Sequence, residues 1–230
     1  TSFFGFRPNS DEWKVMALSS FTSPENEYYK KIKNIVDLKQ DGTFELDLNF
    51  FKEHNVETKN YFSDEFINVF GPPKKPNDRI EKRHYDIASA MQKITEEILI
   101  HMLNWLHDQT KLDNVVVSGG SFMNSVFNGK IKKTTNFKNV FVSSCPDDSG
   151  LSIGSALYLY NHILSNKNRY VQKHNFYGPQ YDNYEIKQTL DKYLIKHTFE
   201  DDINEFACEQ LINGKLIGWF QGRMEFGQRA

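Results

Sequence analysis

The most regular hydrophobic pattern in the chain lies between residues 85 and 110. Apolar side chains recur there at intervals of three and four, which is the spacing of one face of an α-helix. The pattern predicts a long helix over 85–110, and we expect its apolar face to pack on a sheet. The predicted stripe consists of Ile87, Met91, Ile94, Ile98, Met102 and Leu106.

Two short apolar runs after this helix predict strands over 115–117 and 140–142. Runs of this kind are typical of strands that are buried on both faces. Each run leads into a polar, glycine-containing loop, and helices are predicted next, over 122–131 and 151–164. The alternation predicts an α/β fold in which the two strands are adjacent and parallel. Both loops then lie at the carboxyl edge of the sheet, where open sheets bind ligands.

The remaining elements are predicted from weaker patterns. Alternation of apolar and polar residues over 43–48 predicts a half-buried strand. The sequence changes character after Tyr170, and the Gly178–Pro179 pair breaks any regular element, so we expect a domain boundary near 170–180. Helices are predicted near 26–34, 64–69, 183–194 and 203–213, with a strand over 216–220.

Composition narrows the class of protein. With 39% hydrophobic and 25% charged residues, the 230-residue chain is neither a disordered tail nor a coiled coil. A net charge of −2 argues against a general nucleic-acid binder. The chain has two cysteines and so no visible disulfide framework, which makes a reducing interior the default compartment. It also lacks an apolar run long enough for a membrane span and shows no signal peptide. We therefore expect a cytoplasmic protein without nucleic-acid or membrane partners.

The loop after the first predicted strand is the first candidate binding site. Gly119 and Gly120 would let a ligand approach the backbone closely, and the next helix offers free amides to an anion. Asn124 and Asn128 are four residues apart, so they share one helical face. An amide there can hydrogen-bond an adenine edge or a ribose. The alternative is a tight turn followed by two solvent-facing amides.

The loop after the second predicted strand is the other candidate. Asp148 can hold a divalent metal through oxygen, and Gly150 and Gly154 leave the first turn of the helix bare enough for a phosphate. The alternative is that the Asp and Ser residues only cap that helix. Two such loops at one sheet edge favour a single nucleotide cleft over two unrelated turns.

Other reactive residues give weaker signals. Cys145 has no base placed beside it by the sequence and is interpreted as structural. The histidines are scattered and lack the spacing of a metal pair. Near the end of the chain, a glycine-rich loop carries Arg223, Glu225 and Arg229. Its arginines could grip a phosphate or carboxylate, or the loop could simply be solvated.

Six segments of the chain match the sequence pattern of a known family: 12–18, 70–73, 84–92, 118–129, 148–157 and 218–230. Taken in order, these segments resemble the O-carbamoyltransferases of the NodU and TobZ type. The resemblance implies an actin/hexokinase-type (RNase H-like) ATPase domain followed by an α+β YrdC-like domain. On this basis 1–172 is the C-terminal half of the actin-like domain, and 173–230 is a linker with the start of the YrdC-like domain.

The resemblance also implies a reaction. Family members make carbamoyl-adenylate from carbamoyl phosphate and ATP and pass the carbamoyl group to a hydroxyl of a small-molecule acceptor. Gly119, Gly120 and Asn124 would hold the adenylate. Asp148 would ligate a divalent metal, with Fe(II) as the first expectation, and Arg229 would contact carbamoyl phosphate.

The chain also departs from the family pattern. Gln228 replaces a proline of the terminal motif. The family's His-x-x-x-His metal ligands would lie upstream of Thr1, so we expect a piece of a longer protein that is inactive alone. The sequence is also compatible with a homodimer. Two other functions stay open: a relative of the tRNA threonylcarbamoyl-transferases, and a non-catalytic nucleotide-binding module.

Overall fold

A computed structural model describes residues 1–52 and 61–227 of the chain. The chain divides into two compact units, Thr1–Asp148 and Ser149–Ala230, which are described separately. None of the described helices is long and apolar enough to cross a membrane. The predicted domain division between 172 and 173 stays a prediction.

The first unit contains helices and two small sheets. Residues near 26–34 and 64–69 form helices as predicted, each beginning at a polar residue whose side chain accepts a backbone N–H, Asn26 and Ser63. The helices are α1 (Glu12–Leu18), α2 (Glu27–Lys33), α3 (Asp64–Phe70), α4 (Lys82–Thr110) and α5 (Ser125–Thr134), and the strands are β1 (Val36–Leu38), β2 (Phe44–Leu46), β3 (Asn114–Val117) and β4 (Asn139–Val142).

The long helix α4 is confirmed, but its predicted stripe is only partly buried. Ile87 and Ile94 are buried, whereas Met91 is 48% exposed. The helix contributes side chains to two hydrophobic clusters. Its first half packs with α2, α3 and the start of the chain. Farther along the helix, Leu103 packs against β3 and α5. Because these clusters contact different faces of α4, one straight stripe does not describe its buried surface.

The two predicted strands β3 and β4 are adjacent and parallel, as expected. Val115 pairs with Val140, and Val117 pairs with Val142. One face of this sheet is covered by α4 and α5, through a cluster that includes the fully buried Phe127. On the other face Val116 is 73% exposed. The prediction that these strands are buried on both faces is therefore wrong for the face that carries Val116.

The strand predicted over 43–48 exists but is not half-buried. It is β2, and it pairs antiparallel with β1, which the sequence analysis missed. Phe44 and Leu46 are both about two-fifths exposed. Each strand has three residues, which is too few for a periodic pattern to be recognised in the sequence. The two strands are joined by a turn in which Gly42 has a positive φ.

The start of α4 contains a buried histidine. His84 is 1% exposed, and its Nδ1 accepts the backbone N–H of Glu81 at 2.9 Å. Nδ1 is therefore unprotonated, and the ring is the neutral Nε2–H tautomer. Burial, together with the nearby Arg83, lowers the pKa of the His84 imidazole.

This histidine should make stability depend on pH. Because the pKa of His84 is lower in the folded chain, the unfolded chain binds the proton more tightly. We expect the free energy of unfolding to be fully retained above about pH 6.5 and to fall as the pH drops below it. Urea unfolding between pH 7.5 and 5.5 should show a shallower decline for His84→Gln than for wild type. Equal slopes in the two proteins would contradict the assignment.

The second unit is dominated by helices. They are α6 (Leu151–Tyr158), which continues into a π-helical turn (Leu159–Ile163), α7 (Asn183–Lys192) and α8 (Ile203–Ile212). The prediction of a strand over 216–220 is wrong. Leu216 is fully exposed, and no described residue offers a backbone partner that would make this extended segment a strand.

Candidate functional site

The carboxyl ends of β3 and β4 lie at one edge of the sheet because the strands are parallel and in register. The loop after β3 begins at Ser118, and the loop after β4 begins at Ser143. The backbone N–H of Gly119 donates to the carbonyl of Pro146 at 2.6 Å, and the Ser118 hydroxyl donates to the same carbonyl at 3.0 Å. The predicted convergence of the two loops is thus confirmed as far as Pro146, two residues before Asp148.

Gly119 has a backbone conformation that other residues avoid. Its φ is 104° and its ψ is 158°, a combination that is almost confined to glycine. A Cβ at Gly119 or Gly120 would meet no atom within 4 Å, so the space beside both residues is open. The loop therefore exposes bare backbone at the sheet edge, as a site that binds a ligand through backbone amides requires.

Substitution of Gly119 should be costly for the backbone alone. We expect Gly119→Ala to lower the free energy of unfolding by about 1–3 kcal/mol through conformational strain. Gly120→Ala is the matched control, because Gly120 has no positive φ and equally open surroundings. It should change stability by less than about 0.5 kcal/mol. Equal losses in urea unfolding would show that the strain argument is wrong.

Asn124 lies at the junction between this loop and α5. A 3-10 turn (Gly120–Met123) follows Gly119, and Asn124 is the N-cap of α5. Its Oδ1 accepts the backbone N–H of Phe127 at 3.1 Å. Asn124 therefore precedes the helix instead of sharing a face with Asn128, because the predicted start at 122 falls in the 3-10 turn. The Asn128 side chain instead donates to the carbonyl of Phe122 at 2.6 Å.

Two residues of α4 join this site, and the sequence analysis gave neither a role. Gln92 and Asn124 exchange hydrogen bonds between their side-chain amides, at 2.9 and 3.2 Å. Gln92 also donates to Glu96 at 2.9 Å, and Lys130 of α5 forms an ion pair with the same carboxylate at 2.7 Å. Glu96 is 5% exposed. The loop is thereby tied to the long helix by polar contacts.

Asp148 is exposed, and it lies in a 3-10 turn (Asp148–Gly150) after β4. The N-cap residue of α6 is Gly150, so Asp148 is not itself the N-cap of that helix. Within residues 1–52 and 61–227, no group of three His, Cys, Asp or Glu side chains is placed to hold a metal ion. The described residues thus do not make a metal site around Asp148.

The other predicted site residues lie in the second unit or outside the described residues. Gly150 belongs to the second unit, as does Gly154, where a Cβ would also meet open space. Arg229 lies outside the described residues. Arg223 donates through Nε to the carbonyl of Gly178 at 2.7 Å, so this guanidinium binds the chain's own backbone.

Cys145 is buried and free, in agreement with its interpretation as a structural residue. The open double-glycine loop, the parallel strands and the long helix occur in one unit that ends at Asp148. The model of the family described as carbamoyltransferase N-terminus matches residues 1–157, which span this whole unit. The chain belongs to the carbamoyltransferase family.

Proteins similar to this chain include some with and some without a functional name. The uncharacterised protein sll1178 of Synechocystis is 33% identical over 241 residues, covering 100% of this chain and 38% of the relative. Nodulation protein NolNO of Sinorhizobium fredii is 24% identical over 232 residues, covering 96% of this chain and 31% of the relative. Nodulation protein U of Azorhizobium caulinodans is 25% identical over 187 residues, covering 76% and 28%. The chain thus spans about a third of the length of these relatives.

Proposed function

We propose that the chain is part of an O-carbamoyltransferase of the NodU and TobZ type, which transfers a carbamoyl group to a hydroxyl of a small-molecule acceptor. The observation that carries the proposal is the family match over residues 1–157. The exposed loop at Gly119 and Gly120 supports it, because bare backbone at the carboxyl edge of parallel strands suits a nucleotide phosphate. The carbamoyl donor in this proposal is carbamoyl-adenylate, made from carbamoyl phosphate and ATP.

The transfer step is an acyl substitution. The acceptor hydroxyl oxygen bonds to the carbamoyl carbon, the bond from that carbon to the phosphate oxygen breaks, and the hydroxyl proton passes to a base such as the Asp148 carboxylate or to water. AMP leaves with additional negative charge on its phosphate. Backbone N–H groups of the turn that begins at Gly120 are suited to stabilise that charge. The step needs no covalent intermediate on the protein, which agrees with the burial of Cys145.

The role proposed for Asp148 is restricted to its exposed carboxylate. Such a group can accept the proton or hydrogen bond of a hydroxyl, or contribute one oxygen ligand to a divalent ion. The resemblance favours the role of metal ligand, and Fe(II) is the metal we propose first. Since the described residues form no group of three metal ligands, a complete set of ligands for such an ion would need residues outside them.

The finer architecture belongs to the same proposal. We propose that 1–172 is half of an actin-like (RNase H-like) domain and that 173–230 begins a YrdC-like domain. The parallel β3–β4 pair followed by helices supports the first assignment. Arg229 is then proposed to bind carbamoyl phosphate in the YrdC-like domain, with Gly150 adding to the nucleotide site.

The proposal is tested on the complete gene product. We expect it to bind ATP and, with ¹⁴C-labelled carbamoyl phosphate, to label hydroxyl compounds in a panel of monosaccharides, an aminoglycoside and a nucleoside. The 230-residue chain alone should bind ATP without labelling any of them. ATP binding without labelling by the complete gene product would favour the non-catalytic nucleotide-binding module. Labelling of tRNA instead would favour the threonylcarbamoyl-transferase relative.

A further inference from the structure

The side chains of Gln92 and Asn124 form a reciprocal pair of hydrogen bonds between α4 and the cap of α5. Asn124 Nδ2 donates to Gln92 Oε1 at 2.9 Å, and Gln92 Nε2 donates to Asn124 Oδ1 at 3.2 Å. A pair of this kind could in principle be formed with both amides rotated by 180°. Its orientation therefore depends on what each amide contacts at its outer side.

Both outer contacts fix the same orientation. Glu96 is paired with Lys130 and is therefore an ionised acceptor, so the Gln92 atom that faces it must be Nε2, at 2.9 Å. At the other end, the backbone N–H of Phe127 can only donate, so the Asn124 atom that faces it must be Oδ1. Rotating either amide would place two donors or two acceptors together.

Counting donors and acceptors shows what Asn124 can offer a ligand. Its Oδ1 has two lone pairs, which accept from Gln92 and from the Phe127 backbone. Its Nδ2 has two hydrogens, and one is donated to Gln92. One N–H is left. A ligand that binds this side chain without breaking the network must therefore present an acceptor atom.

We propose that Gln92 and Glu96 are positioning residues that hold Asn124 as a single N–H donor toward an acceptor atom of the adenine or ribose of a bound nucleotide. The inference rests on the proposed function, in which a nucleotide binds beside Gly119 and Gly120. Neither positioning residue needs to touch the nucleotide. Their contribution is to prevent Asn124 from turning its oxygen toward the ligand.

The most direct test compares two neighbouring acids of α4 in the 230-residue chain. Glu96→Gln replaces an obligatory acceptor by a group that can also donate, so one of the two outer contacts no longer fixes the orientation, and only the Phe127 N–H still opposes rotation of the Gln92–Asn124 pair. Glu97→Gln is the matched control, because Glu97 contacts Tyr29 and Lys33 and takes no part in the network. We expect ATP affinity to fall roughly threefold to tenfold for Glu96→Gln and to stay unchanged for Glu97→Gln. Far-UV circular dichroism checks that each variant is folded.

Nucleotide analogues provide a readout that a purely structural role would not change. ATP analogues that lack one acceptor each (1-deaza, 3-deaza, 7-deaza and 2′-deoxy) should include one that wild type binds on the order of tenfold more weakly than ATP. That penalty should disappear in Asn124→Ala and shrink in Glu96→Gln and Gln92→Met. Proton NMR of the Asn124 side-chain amide, without nucleotide, should show slow exchange in wild type and Glu97→Gln and faster exchange in Glu96→Gln.

The outcomes separate this inference from the proposed function. Failure of wild type to bind ATP would overturn the nucleotide site and the donor role of Asn124 together. ATP binding with equal affinities and equal amide exchange in Glu96→Gln and Glu97→Gln would overturn the positioning role alone. A uniform loss for ATP and every analogue in Glu96→Gln would also overturn it, because the change would then be structural.

Discussion

Asp148→Ala should reduce carbamoyl transfer by the complete gene product by roughly a hundredfold or more, the contribution typical of a positioned acid or base. The carboxylate is exposed in the loop that follows β4, at the sheet edge where Gly119 contacts Pro146. Asp148 could act as the base that takes the hydroxyl proton or as a metal ligand. Both roles depend on the negative charge of the carboxylate, so Asp148→Asn should lose activity as well. The measurement is transfer from supplied carbamoyl-adenylate to whichever hydroxyl compound the panel identifies.

Two control variants test whether the loss of transfer is specific to Asp148. Asp113 is also an exposed carboxylate, but it precedes β3 and pairs with Lys138 at the opposite end of the sheet, so Asp113→Ala should transfer normally. Arg229→Ala should show the reverse defect, with adenylate formation lost and transfer from supplied carbamoyl-adenylate retained. Metal analysis of the complete gene product, with and without Asp148, distinguishes the two roles of the carboxylate. Wild-type transfer by Asp148→Ala would refute both.

Phe127→Ala should lower the free energy of unfolding of the first unit by about 3–5 kcal/mol. Phe127 is 0% exposed and packs with Leu103, Val115, Val117 and other members of the cluster beneath the β3–β4 sheet. Removal of its ring leaves a cavity between α5 and the strands. The cavity would let the start of α5 shift, and the backbone N–H of residue 127 holds Asn124 from there, so we expect ATP affinity to fall together with stability.

Val126 is the matched control for this core substitution. It occupies the preceding position of α5 but is 38% exposed, so Val126→Ala should cost about 1 kcal/mol or less. Urea unfolding followed by tryptophan fluorescence measures both variants. A loss below 1 kcal/mol for Phe127→Ala would mean that α5 is not anchored through this ring.

The parts of the fold that the sequence predicted are those with strong local signals. The runs 115–117 and 140–142 are β-branched or aromatic and are bounded by polar loops, so their strands and parallel pairing could be inferred. The double glycine could likewise be placed in a turn, because Gly119 adopts a conformation that few other residues tolerate.

The missed features depend on contacts between distant segments. Gln92 and Asn124 are 32 residues apart, and no local pattern indicates that their amides meet. Asn124 at a helix start is itself a capping signal, and it could have moved the predicted start of α5 by a few residues. The exposure of Met91 has a similar cause, because periodicity cannot show that α4 packs against two separate clusters.

The last described segment of the chain returns to residues 175–179. Gly178 donates to the carbonyl of Met224 at 2.9 Å, Met224 donates to that of Pro179 at 2.9 Å, and Phe226 donates to that of Asn175 at 2.7 Å. Helices α7 and α8 therefore lie inside a loop whose two ends are joined. Closing a loop of this length costs roughly 3 kcal/mol of chain entropy, which these contacts must offset. A truncation after residue 221 would thus release both ends of the loop, so a shortened form of the second unit should keep residues 175–226 together.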